Sequence, residues 1–274
     1  MKIHAIQTGI VHVKSDFLKG SVAAGGTLPF LYRLFTDKQY ADLPIYTWAI
    51  EHEEGVIVVD TGSPANAPKS FITQSTYTIL PEETIAAQLA GLGIRPNDVR
   101  KVILTHLHGD HVDGVSAFKD AEIYLGPDEY AYYKTSFGGT FTRRTCAIPD
   151  WFDPQPLTAN RAPFGSFPYS LPITRAGDVV AVPTPGHTGG HISVIATHEG
   201  LHYFMAGDVT YTQQAMLDQH LQGPTMDAAA HPQTLKRVLD YCGLQPTIYL
   251  PAHDWESGAR FMKKEAATAP VLAR

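Results

Sequence analysis

The chain of 274 residues reads as a layered α/β domain with helices packed on sheets, and three observations carry that reading. Short runs rich in Val, Ile and Tyr have the length and pattern of strands. Amphipathic segments with a helical period lie between some of them. Both kinds of element occur on either side of a long irregular middle, an order that favours a layered α/β arrangement.

Strands are expected in the first half at Lys2–Gln7, Ile45–Glu51, Val56–Asp60, Lys101–Thr105 and Glu122–Leu125. In the second half they are expected at Val179–Val182, Ile192–Ala196, His202–Ala206 and Thr247–Leu250. The first helix, Pro81–Leu92, places Ile85, Leu89 and Leu92 on one face and Pro81 in its first turn. The second, Pro232–Cys242, repeats that stripe with Leu235, Val238, Leu239 and Cys242, and Gly243 is its stop signal. A third runs from about Glu256 to Ala267. The segment Phe137–Pro172 is aromatic and Pro-rich with little periodicity. Long loops of this kind are usually functional, so residues 127–172 are expected to form a packed lid within a single domain spanning 1–274. No internal repeat, low-complexity tract or domain boundary interrupts the chain.

Composition removes several classes. At 44% hydrophobic and 18% charged the chain is neither disordered nor fibrous. Lys and Arg number 21 against 27 Asp and Glu, a net charge of −6 that argues against a nucleic-acid partner held through phosphates. Cys146 and Cys242 are the only cysteines, which suits two buried thiols in a reducing compartment rather than a disulfide framework. The opening MKIHAIQTGIVHVKSDF lacks the continuous apolar stretch of a signal peptide. No run approaches the ~18–20 apolar residues of a membrane helix. The expectation is a soluble cytoplasmic protein with no membrane partner.

Histidine is the unusual residue, at 13. The segment Thr105-His106-Leu107-His108-Gly109-Asp110-His111 places four metal-type ligands in the turn after a buried strand. His106 and His108 alternate, so an extended backbone aims both to one side. The turn at Gly109 brings Asp110 and His111 to a second position beside it. That many desolvated polar groups are costly to bury without a metal. Imidazole and carboxylate ligands suit zinc, and also Mn, Fe or Co. His187 in a glycine-rich turn, Asp208 after Ala206-Gly207, and His253 after Pro251-Ala252 each stand at a strand end, where α/β proteins place ligand sites. His191 reads as a second histidine that orients the His187 loop. The other seven histidines have no companions at metal spacing.

These motifs, in this order, resemble those of the metallo-β-lactamase fold superfamily from about Asp60 to His253. The resemblance implies an αββα four-layer sandwich with two divalent metal ions at one edge of the paired sheets. It assigns His106, His108 and His187 to the first metal, Asp110, His111 and His253 to the second, and Asp208 to both. The Asp60 turn is implied to be structural support. Asp208 stands where some true β-lactamases have cysteine, and the glutamate of the flavodiiron relatives is missing, so hydrolysis is expected over redox chemistry.

Tyr211, three residues after Asp208, is similar to the tyrosine of the N-acyl-homoserine lactonase branch. Leu43–Thr47, Glu53–Gly62 and Thr184–Thr188 also resemble that branch. The implied chemistry opens the ester ring of a lactone by attack of a metal-bridging hydroxide, with Tyr211 assisting the carbonyl oxygen and Asp110 shuttling the proton. The small-molecule substrate is then a lactone or ester. A glyoxalase II-like thioesterase is the first alternative, although Arg260, Lys263, Lys264 and Arg274 make only a small basic group. An aryl-ester or phosphotriester hydrolase on the same metals is the second.

For the acyl groove the sequence offers Gly25–Leu31 and the aromatics Tyr130, Tyr133, Phe137, Phe141, Trp151, Phe152, Phe164 and Phe167. The apolar Gly25–Leu31 loop is alternatively a homodimer contact.

Overall fold

Strands buried on both faces dictate the layering. The computed structural model describes residues 1–19, 32, 36–70, 73–158, 160 and 162–267; Gly25–Leu31 and Arg274 lie outside them. On β2 (Tyr40–His52), Tyr46, Trp48 and Ile50 enter a central core while Ala49 faces the opposite one. On β3 (Gly55–Val59), Ile57 and Val59 point inward and Val58 outward. The second sheet repeats this on β11 (Leu201–Gly207), where Tyr203 and Met205 face the central core and Phe204 and Ala206 the outer one. Period-two alternation of apolar residues on both faces requires cover on both sides.

The first sheet has seven strands in the order β4 (Thr76–Thr78), β1 (Lys2–Lys14), β2, β3, β5 (Val99–Ile103), β6 (Glu122–Leu125), β7 (Gln155–Pro156). Pairing is antiparallel from β4 to β3 and parallel from β3 to β7. The second has five, β12 (Thr247–Pro251), β11, β10 (Ile192–His198), β9 (Val179–Pro183), β8 (Leu171–Pro172), with only β11 and β12 parallel. Outside the first sheet lie α1 (Ile85–Gly91), α2 (Gly109–Val112) and α3 (Pro127–Lys134), contributing Leu89, Val112 and Tyr133 to its outer core. Helix α4 (Ser136–Thr145) follows. Outside the second sheet lie α5 (Gln213–Leu217) and α6 (Ala230–Leu244), which bury Met216, Leu235, Val238 and Tyr241. Helix α7 (Ser257–Lys263) packs Phe261 against the central core. The result is the expected αββα sandwich. Among the described residues, no helix is long and apolar enough to cross a membrane.

Several boundaries differ from expectation, each for a local reason. The first helix is split into a 3₁₀ turn, Pro81–Glu83, and α1; Leu92 is exposed and Ile94 fills its core position. Gly243 does not stop α6, which continues to Leu244 and ends where Gln245 turns extended. Helix α7 stops four residues short of Ala267 because Lys264 adopts a left-handed φ of 53°. The middle segment is more regular than its sequence suggests: α3 starts on Pro127, and the Thr135 hydroxyl caps α4 by accepting from the Gly138 N–H.

Candidate metal centre

Each proposed ligand is delivered by a strand end. Beyond β5 the chain runs extended to His106 and His108, then α2 folds Asp110 and His111 back beside them. His187 lies in the β9–β10 turn, Asp208 follows β11, and His253 follows β12. Asp208 succeeds Gly207, whose φ is +55°. A Cβ at Gly207 would lie 2.7 Å from His191 Nε2, so glycine alone lets β11 pass this close to the site.

All seven side chains converge in two groups: His106, His108, His187 and Asp208, and beside them Asp110, His111 and His253. In the first, His108 Nδ1 stands 2.9 Å from both His106 Nε2 and His187 Nε2. Asp208 reaches both groups, with Oδ2 3.2 Å from His187 Nε2 and Oδ1 3.1 Å from His111 Nε2 and 3.3 Å from His253 Nε2. Asp110 Oδ2 lies 3.4 Å from His253 Nε2.

Outer hydrogen bonds set which nitrogen of His106, His111 and His253 faces inward. Asp60, buried with φ +58°, accepts from His111 Nδ1 at 2.8 Å and from the Thr105 hydroxyl at 2.9 Å. Thr105 in turn accepts from His106 Nδ1 at 3.0 Å, and its backbone N–H donates to Asp60 Oδ1 at 2.8 Å. His253 Nδ1 donates to the Pro44 carbonyl at 2.8 Å. In all three cases Nε2 is the nitrogen aimed at the site, the usual arrangement behind a metal-ligating histidine. His191 is held by Thr184 at 2.8 Å and accepts the Asp208 N–H at 3.1 Å, so it orients the Asp208 backbone as well as the His187 turn.

Electrostatics divide the histidines into two groups, and a cation at the site would displace the proton that the carboxylates favour on the second. Burial lowers the pKa of His106 and His187 well below the ordinary histidine value, keeping them neutral. Burial opposes charge on His111 too, but Asp208 and Asp60 outweigh it and hold its pKa well above the ordinary value. His253 is likewise raised, with Asp208 and Asp110 overcoming burial. His111 Nε2 and Asp208 Oδ1 are fully buried, and although they stand 3.1 Å apart they are not aligned as a hydrogen bond. Buried polar atoms in that state call for a partner. A divalent cation fits them, because imidazole nitrogen and carboxylate oxygen are the ligands such ions take.

A pocket of about 500 Å³ opens over the two groups, with Val13, Phe17, Pro68, Leu107, Phe141 and Met226 among its apolar walls. Of the eight aromatics expected there, Phe141 alone lines it. Tyr133 and Phe152 fill the outer core of the first sheet, with Tyr130 and Trp151 against it, while Phe164 and Phe167 pack on Tyr241 under the second. Phe137 is exposed and stacks on Phe141. Sequence alone does not separate aromatics that fill a core from those that line a cavity. Tyr211 also faces the pocket, its ring 5.2 Å from that of His253 and at right angles to it. Burial, then Asp208 and Asp110, raises its pKa well above that of a free tyrosine, so it stays an O–H donor.

Three pocket or loop residues escaped the sequence reading. Glu129, buried on the first turn of α3, accepts the Leu107 N–H at 3.1 Å and the Thr188 hydroxyl at 2.9 Å. With a further bond from the Gly190 N–H, it ties the His106–His111 turn to the His187–His191 turn. An acid in a helix's first turn is ordinary, so nothing in the sequence marked it. Tyr77 on β4 and Asp113 after α2 both line the pocket. Burial, with Asp110 adding to it, pushes the Asp113 carboxyl up to about 7. Arg260 corrects an expectation: it is buried, bonded to Asp254 at 2.9 Å and to the Tyr249 carbonyl at 3.0 Å, and is no part of a surface basic group.

Paired sheets between helices, with imidazole and carboxylate donors gathered at their strand ends, define a metal-dependent hydrolase. The chain belongs to the metallo-beta-lactamase superfamily, whose family model matches residues 40–253. It is 28% identical to the N-acyl homoserine lactonase of Bacillus cereus over 232 residues, 78% of this chain and 83% of that one. The fold matches an N-acyl homoserine lactone hydrolase solved with N-hexanoyl-L-homoserine at its catalytic metal centre. There the TM-score is 0.72 at 22% identity, over 93% of this chain and 94% of the other. A dizinc quorum-quenching lactonase matches with a TM-score of 0.62 at 15% identity, over 93% and 88%. Superfamily and donor set agree on a centre for two metal ions.

Proposed function

We propose that this chain opens the ester ring of N-acyl homoserine lactones. The observation that carries the proposal is that seven His and Asp donors converge beneath a largely apolar pocket, four of them (His108, Asp110, His187 and Asp208) lining it, with Tyr211 in the same wall. Similarity to the Bacillus lactonases supports it. In this reading His106, His108 and His187 hold one metal ion, Asp110, His111 and His253 the other, and Asp208 both. Two divalent ions, zinc foremost for this donor set, polarise a carbonyl and lower the pKa of water when bound.

The remaining tasks fall to the chain. The wall formed by Val13, Phe17, Leu107 and Phe141 takes the acyl group and excludes water. Tyr211 donates its hydroxyl hydrogen to the lactone carbonyl oxygen as that oxygen gains charge, where a fixed donor has most effect. Asp110 takes the proton from the attacking water and returns it to the ring oxygen as the C–O bond breaks. The product is a ring-opened N-acyl homoserine. With Arg260 committed to Asp254, the basic group that a glutathione thioester would use is further reduced.

The test is hydrolysis of a long-chain N-acyl homoserine lactone beside an aryl ester and a thioester, by metal-replete protein with a chelated control. Lactone turnover far above the other two, abolished by chelation, is expected. Dominance of ester or thioester would overturn the lactonase reading and keep the metal site.

A further inference from the structure

Asp113 has no part in the chemistry above, yet its carboxylate sits in the pocket wall. The residue is 4% exposed and lines the cavity together with Asp110, three residues earlier in the chain. On helical turns such a spacing puts two side chains on one face. Its two oxygens differ. Oδ1 is engaged by the Ala147 N–H at 2.7 Å, while no hydrogen bond reaches Oδ2 from the described residues. A carboxylate oxygen that opens on a binding pocket and is left free by the protein is a place for a ligand's donor.

Room for this carboxylate comes from the preceding turn. A Cβ at Gly109 would lie 2.8 Å from Asp113 Oδ2, so the glycine inside the His-Leu-His-Gly-Asp-His segment leaves space for the acid four residues on. Apart from Tyr77, Tyr211 and the candidate metal donors His108, Asp110, His187 and Asp208, the rest of the wall is apolar or carries small hydroxyls and the Cys146 thiol. Among these groups a carboxylate is the strongest acceptor, and it stands beside the residue that handles the proton of the attacking water.

Resting on the lactonase reading, we infer that Asp113 is a specificity-determining residue that accepts the amide N–H of an N-acyl-amino lactone. In such a lactone the amide nitrogen is carried by the carbon next to the ring carbonyl. A carbonyl seated over Asp110 and Tyr211 therefore places the N–H towards the same wall. The ligand class is a lactone with a hydrogen-bond donor on that carbon and an apolar chain beyond it. Simple alkyl lactones lack the donor and leave Asp113 unpaired.

The test compares N-hexanoyl homoserine lactone with its carba analogue, in which a methylene replaces the amide N–H, at pH 8 with metal-replete protein. The variant is Asp113→Asn. Its carbonyl oxygen keeps the Ala147 bond, which turns the amide NH2 towards the pocket and replaces an acceptor with a donor. Wild type should show the lower KM on the amide lactone. The substitution should raise that KM roughly tenfold or more, as expected for losing a hydrogen bond to a charged group. KM for the carba analogue and kcat for both should stay within about twofold, a split that a general loss of structure would not produce. Equal KM for the two lactones in both proteins would overturn the inference and leave the lactonase reading standing. Failure to turn over either lactone would take both down.

Discussion

Glu129 is where the arrangement of the metal centre is most exposed to a single substitution. Its carboxylate receives the Leu107 N–H, the Thr188 hydroxyl and the Gly190 N–H, and so joins the turn carrying His106, His108 and His111 to the turn carrying His187. In Glu129→Ala the Thr188 hydroxyl can rotate to another acceptor, but two backbone N–H groups are left without one. Each unsatisfied buried donor costs about 1–3 kcal/mol, and relief from burying a charge returns part of the sum, so a net loss of about 2–4 kcal/mol is expected. For a protein of this size that corresponds to a fall of roughly 3–7 °C in Tm of the metal-free protein. Slack between the two turns should also weaken metal binding by roughly 10–100-fold, the range seen when groups behind metal ligands are removed. In Glu129→Gln the amide oxygen can take Leu107 while the amide nitrogen donates to Thr188, so a smaller effect is expected. The assays are thermal unfolding of the metal-free protein and competition for metal against a chromophoric chelator. Wild-type metal affinity in Glu129→Ala would refute the reasoning, even if Tm fell, because the two turns would then hold their geometry without the carboxylate.

Three further outcomes are expected from the same structure. Tyr211→Phe should lower kcat/KM on a lactone by roughly 10–100-fold, less than Asp208→Asn or His106→Ala, because it removes one donor and leaves the donor groups intact; an unchanged kcat/KM would remove Tyr211 from the mechanism. Asp60→Asn should weaken metal binding by roughly 10–100-fold while leaving the protein folded, because the amide no longer holds His111 with Nε2 inward; retained affinity under chelator competition would contradict this. Burial lowers the His191 pKa to about 3, so between that value and about 6.5 the unfolded chain binds a proton that the folded one does not, and the contribution is lost as pH falls through this window. The stability difference between wild type and His191→Gln should therefore shrink from pH 7.5 to pH 5 in urea unfolding of the metal-free proteins; a constant difference would refute the assignment.

The residues of the candidate metal centre were legible because their types are rare and their spacings short. His106, His108, Asp110 and His111 fall within six residues, and local backbone geometry alone brings them together. The layered α/β class was legible for a related reason, since apolar runs at a period of two and stripes at 3.6 are local properties. Glu129, Asp113 and the wall of Val13 and Phe17 were not. Their roles depend on α3, the turn after α2 and the end of β1 meeting across long stretches of chain, and a buried carboxylate has no local signature to distinguish it from a surface one. The aromatics show the same limit: Phe141 and Phe152 are alike in sequence, yet one faces the cavity and the other the core. Sequence by itself determined which groups can bind metal and the kind of fold that gathers them at strand ends. Tertiary structure decided which nitrogen of each histidine turns inward, which carboxylate joins the two turns and what surrounds the substrate, because each of these is a contact between elements distant in the chain.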